Sequence, residues 1–248
     1  MSGSNSVAAW IIACAGALLS LSVAAESEKD APASSEQPEV RTVTKVSAKT
    51  GPKADDRLTV LVDFNDAPEA KDWALKAADY AIEWYPKLCK LLESDGHETP
   101  KEVTLFFKPM DGVAHASGTT VTISSKWIND HPEDLGMVAH ELVHVVQGYG
   151  DSKVPGWLTE GIADYVRYYV VEPDSERRHF DPEQSNYDSG YQATAGLLNF
   201  VEKNRPGTVK ELNALIRERK YTPEAFKKFA GGEPDALWRQ FKASLKKT

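Results

Sequence analysis

The sequence predicts an α+β fold: a small mixed sheet, a helix able to carry a metal ion, and a helical C-terminal half. Three observations predict it. Residues 58–64 and 103–107 are β-rich runs, with a candidate hairpin about Gly118. Apolar residues recur at helical spacing between 67 and 92, and again in four segments from Tyr191 onward. Between them, His140-Glu141-Leu142-Val143-His144 lies inside a continuous helical period.

From the N-terminus, residues 7–23 are almost entirely apolar or small, and Val23-Ala24-Ala25 offers small side chains to a signal peptidase, with Glu26 following. Residues 1–25 are therefore expected to be a secretory signal peptide, although residues 1–6 hold no Lys or Arg. A retained membrane anchor is the competing reading, and the shortness and Ala/Ser content of the run favour cleavage. Residues 26–56 are rich in Glu, Lys, Ser, Ala and Pro without a sustained apolar period, the composition of a disordered linker. Residues 57–248 form the expected folded domain, sheet-containing to about 150 and helical after it.

Within that domain the first strand, near 58–64, is followed by a long helix over 67–92. Trp73, Ala77, Tyr80, Ala81, Trp84 and Leu88 make its apolar stripe. Asp95-Gly96 closes the region, Val103-Thr104-Leu105-Phe106-Phe107 is a second strand, and Pro109-Met110-Asp111-Gly112 marks a turn. Residues 113–117 and 119–124 form the hairpin, whose edge could receive an extended peptide.

The helix carrying the two histidines is expected to start at Asp130, with Pro132 in its first turn and Glu133 at capping-box spacing. Leu135, Val138, Ala139, Leu142, Val145 and Val146 lie on one face, while Met137, His140, Glu141, His144 and Gly148 lie on the other. One face goes to the core, so the other must look into a cleft. Gly148-Tyr149-Gly150 ends the helix. A second helix begins at Trp157, with Glu160 in its first turn and Asp164 one turn later. Residues 172–189 are polar and rich in turn formers, a long loop beside the cleft. Helices near 191–203, 207–218, 222–230 and 234–246 complete the chain.

The bulk numbers are consistent with this and exclude some partners. In 248 residues, 29 Lys and Arg face 37 Asp and Glu, and a net charge of −8 argues against a nucleic-acid partner. Removal of the signal would leave Cys89 as the lone cysteine of the pair Cys14 and Cys89, so no internal disulfide is expected and Cys89 is a buried small hydrophobe. A monomer without stable membrane association after signal cleavage is expected, in an extracellular or periplasmic location.

The chemistry rests on spacing. Residues four apart share a helix face, so His140 and His144 can aim both imidazoles at one point. Zinc takes imidazole nitrogens and a carboxylate oxygen and leaves a position for water, so Glu160 is the candidate third ligand to one Zn2+. Glu141 is the candidate base for that water, and Asp164 the partner that orients a ligand imidazole. Tyr191 is the candidate oxyanion stabiliser, with His179 and His115 behind it. No organic cofactor is implied.

The runs His140-Glu141-Leu142-Val143-His144-Val145-Val146-Gln147 and Gly156-Trp157-Leu158-Thr159-Glu160-Gly161-Ile162-Ala163-Asp164-Tyr165-Val166-Arg167 resemble the basic secretory protein family, zinc peptidases of plants and bacteria. The likeness continues through Gly190-Tyr191-Gln192-Ala193-Thr194-Ala195, Val209-Lys210-Glu211-Leu212-Asn213 and Leu237-Trp238-Arg239-Gln240-Phe241, and covers roughly residues 58–246. It implies a zincin-like fold of the gluzincin kind, one zinc and proteolytic activity, with His140, His144 and Glu141 in their motif roles. Two features depart from it: the chain is acidic although the family is called basic, and a mature chain has a single cysteine. The expectation is a secreted zinc metallopeptidase acting on a peptide or protein substrate. The alternatives are a secreted metal-binding defence or interaction protein with little proteolysis, and a zinc hydrolase acting on cell-wall peptides or another amide.

Overall fold

The computed structural model describes residues 42–49 and 57–246. The expected signal peptide, residues 1–25, lies outside the described residues. Five strands form one mixed sheet: β1 (Thr44–Lys49), β2 (Arg57–Asp63), β3 (Glu102–Lys108), β4 (Ala114–Ser117) and β5 (Thr120–Ser124), in the order β1-β2-β3-β5-β4. β2, β3 and β5 run parallel, while β1 and β4 pair antiparallel at the two edges. The hairpin about Gly118 is present, and it leaves β4 as an edge strand beside the cleft.

β1 corrects the expected linker, because it falls inside residues 26–56. Its Thr44, Val46 and Ala48 are half-buried and alternate with exposed Lys45 and Ser47. Val46 lies opposite Val60 of β2. An edge strand with one weakly apolar face buries too little to stand out from a polar segment.

Parallel pairing of β2 and β3 requires a crossover, and α1 (Lys71–Leu91) provides it, entered through a 3-10 turn at Pro68–Ala70. Its buried face includes Ala74, Ala77, Ala78 and Ala81, and side chains this small let the helix lie close to its neighbours. Trp73, Tyr85 and Leu88 fill the ends of that face.

β5 runs directly into α2 (Ser125–Asp130), whose N-terminus is capped by Ser124 Oγ accepting from the Trp127 N–H at 3.3 Å. α3 (Gly136–Gln147) carries the two histidines and starts later than the sequence predicts. Asp130 ends α2 instead of capping α3. Pro132 disfavours helical backbone at His131, which is held at φ −135° and ψ 62°. Gly136 then opens α3 because the Glu172 carboxylate packs where a side chain would stand. Every α3 residue is buried except His144, which is half-buried. The helix is sandwiched, as the two-faced pattern requires.

α4 (Gly156–Val166) follows and widens into a π-helical turn, Arg167–Val171, that the sequence pattern does not reveal. α5 (Tyr191–Asn204) packs closely on α4 because Gly161 has no Cβ: one placed there would meet the Thr194 side chain. α6 (Thr208–Arg217), α7 (Pro223–Ala230) and α8 (Pro234–Leu245) complete the helical half within a few residues of the expected bounds. The long loop is pinned to this half by Phe180, whose ring lies 6.0 Å from Phe241 and 6.3 Å from Trp238. Among the described residues, no helix is long and apolar enough to cross a membrane.

Candidate metal centre

α3 and α4 bring three donors together. His140 Nε2 lies 3.2 Å from His144 Nε2, and Glu160 Oε2 lies 3.2 Å from the first and 3.4 Å from the second. Helical spacing supplies the pair of histidines, and the crossing of α4 supplies the carboxylate. These atoms all lie within 4.8 Å of one another, a group that could hold a metal ion.

The opposite ring nitrogens are engaged elsewhere. His140 Nδ1 lies 2.6 Å from Asp164 Oδ1, and His144 Nδ1 lies 2.8 Å from Gln147 Oε1. Both Nε2 atoms are thereby left to face Glu160. Three electron-rich atoms at this range repel unless a cation or a shared proton lies among them. Two imidazole nitrogens and a carboxylate oxygen are a donor set that zinc accepts, so the residues fit a zinc ion. With protons alone, burial pulls the His140 pKa down, but hydrogen bonds to Asp164 and Glu160 and the charges around it push it up to about 9. Burial raises Glu160, and its hydrogen bonds to the two imidazoles then take it down to about 2.

Glu141 follows His140 and is 7% exposed. Burial raises its pKa, and the nearby imidazoles pull it back only in part. It lines a cleft of about 910 Å³ together with the three donors, Asp164, His115 of β4, Tyr191 and Arg177 of the long loop. Tyr191 is 57% exposed, and its ring stacks on His140 at 6.2 Å between centroids and 16° between planes. Its backbone has φ 44°, left-handed for a bulky residue. The charge of Glu160, then burial, raises its hydroxyl pKa, so the phenol keeps its proton. His179 does not line this cleft: it borders a separate depression with Phe180 and Phe241.

Several contacts were not legible in the sequence. Asp134 and Arg167 form a buried ion pair, and Arg167 Nε also reaches Glu172 at 3.4 Å. Trp127 Nε1 donates to Asp134 at 3.0 Å. At the other end of α3, Arg217 donates to the carbonyls of Val146 and Gln147 and to that of Leu92. Carboxylates thus sit at the start of α3 and a guanidinium at its end, each complementing the helix dipole. Only Gln147, three residues beyond His144, left a sequence signal, as helical spacing puts it beside that ring.

The family model described as peptidase of plants and bacteria matches residues 66–241, from just after β2 into α8. No curated protein and no solved structure matches the chain.

Proposed function

Since the chain belongs to the basic secretory protein family, the peptidases of plants and bacteria, we propose that it is a secreted zinc-dependent peptidase. The observation that carries the zinc reading is the convergence of His140 Nε2, His144 Nε2 and Glu160 Oε2 with both Nδ1 atoms engaged away from the site. His140, His144 and Glu160 would hold the ion. Bound there, zinc supplies Lewis acidity that polarises the scissile carbonyl and lowers the pKa of a water to about 7.

The chain's own residues do the rest. Glu141 is the base that takes the proton of the attacking water and returns it to the leaving amine. Its burial suits the task, since a raised carboxyl pKa brings proton acceptance and donation closer in energy. Asp164 keeps the His140 ring oriented through Nδ1. Tyr191 remains protonated and borders the cleft, so its hydroxyl can donate to the developing oxyanion. The edge strand β4 offers unpaired backbone groups to an extended peptide.

The test compares wild type with Glu141→Gln by metal analysis and by cleavage of a denatured protein substrate. Zinc is expected in both, and hydrolysis only in the wild type. Zinc-free wild-type protein, or undiminished cleavage by the variant, overturns the mechanism.

A further inference from the structure

Gln147 is the last residue of α3 and is 1% exposed. Burying a primary amide is costly unless both of its ends are partnered. Both ends are: Nε2 donates to the Thr159 carbonyl at 3.0 Å, and Oε1 lies 2.8 Å from His144 Nδ1. A backbone carbonyl only accepts, so the amide NH2 must face Thr159 and the amide oxygen must face the ring. Nδ1 must therefore carry a proton, and in the neutral ring that leaves the Nε2 lone pair turned toward His140 and Glu160.

We propose that Gln147 is a positioning residue of this centre, one that holds His144 in the Nδ1–H tautomer and ties α3 to α4 one residue before Glu160. The proposal rests on the zinc reading above for its consequence, though not for the tautomer itself. The backbone of Gln147 is held too, because its carbonyl accepts from Arg217 Nε at 3.0 Å. The amide thus has a fixed base and two fixed partners, which is what turning one ring requires.

An amide also suits the charge at this position. Glu141, Glu160 and Asp164 already place three carboxyl groups around the two imidazoles. Asp164 orients His140 with a charge, whereas Gln147 orients His144 without adding a fourth carboxylate. The two histidines are therefore held by partners of different kinds.

Nitrogen-15 NMR of the imidazoles in zinc-free protein, at a pH where both rings are neutral, reads the tautomer directly. The wild type is expected to show His144 as Nδ1–H, and an Nε2–H tautomer overturns the proposal whatever the variants do. Gln147→Met keeps the volume and removes both hydrogen bonds. It is expected to give a mixture of tautomers and to weaken zinc binding by about 10–100-fold in chelator competition, the range for lost ligand-orienting contacts. An unchanged tautomer with unchanged zinc affinity in a folded Gln147→Met overturns the proposal, because lost packing alone would not move the tautomer. If the wild type binds no zinc, the zinc reading fails, and the wild-type spectrum still decides the role of Gln147.

Discussion

Asp164 Oδ1 lies 2.6 Å from His140 Nδ1, and the two residues are 24 positions apart on different helices. The contact joins α3 to α4 at the residue beside the candidate base. Because an ionised carboxylate only accepts, it also places the proton on Nδ1 and leaves Nε2 facing Glu160.

Asp164→Asn is expected to keep the fold and weaken zinc retention by about 10–100-fold, the range for lost ligand-orienting partners. Chelator competition on the purified variant measures it. Affinity equal to wild type would show that the contact orients nothing of consequence.

Glu160→Ala removes one of three donors, so its effect should exceed that of Asp164→Asn. We expect zinc to be lost on dialysis and hydrolysis to fall with it. If the variant retains stoichiometric zinc, Glu160 is not the third ligand.

Zinc-free protein should show a distinctive pH profile. His140 rises from 6.5 to about 9 on folding, so its stabilisation is fully present below pH 6.5 and is lost as pH climbs through about 9. Glu160 falls from 4.5 to about 2, so its contribution is present above pH 4.5 and is lost as pH drops through about 2. Thermal melts in chelator should therefore weaken between pH 6.5 and 9. Zinc competes with the His140 proton, so its affinity should rise across that same window and its binding should release protons, measurable by calorimetry in buffers of different ionisation enthalpy. Proton-independent zinc binding would contradict the assignment.

Asp134→Ala should destabilise strongly without touching the donors. It leaves the buried Arg167 guanidinium with Glu172 as its remaining carboxylate partner, so the loss should exceed that of an exposed pair yet stay below the cost of a buried charge left fully unpaired, about 3–5 kcal/mol. Urea unfolding reads this directly, and a loss below about 1 kcal/mol, the scale of exposed pairs, would mean the pair behaves as a surface one.

Gly161→Ala poses two opposed effects. Alanine gains about 1 kcal/mol over glycine in a helix interior. The new methyl would meet Thr194, whose hydroxyl is anchored to the Tyr187 carbonyl at 2.5 Å and cannot easily turn away. Overpacking costs about 1–3 kcal/mol, so net destabilisation is expected. A raised melting temperature would show that α4 and α5 can separate at little cost.

Helical periodicity read from residues 67–92, and again from Tyr191 onward, located α1 and α5 to α8 within a few residues. The same local rule placed His140 and His144 on one face, because spacing of four is a property of any α-helix. Where a segment has little apolar contrast, as at β1, or where a proline redirects the backbone, as at Pro132, the pattern pointed to the wrong boundary.

The sequence by itself determined the α+β class, the paired histidines with Glu141 between them, and Glu160 and Asp164 on one further helix. Packing alone decided that Glu160 reaches both imidazoles, that the Gln147 amide is anchored on the Thr159 carbonyl of α4, that Asp134, Arg167 and Glu172 gather at the start of α3, and that Arg217 closes its end. The reason is range. Helix periodicity acts between neighbours in the chain, whereas Arg217 meets Gln147 from 70 residues away, a contact that exists only once α3 and α6 are packed together.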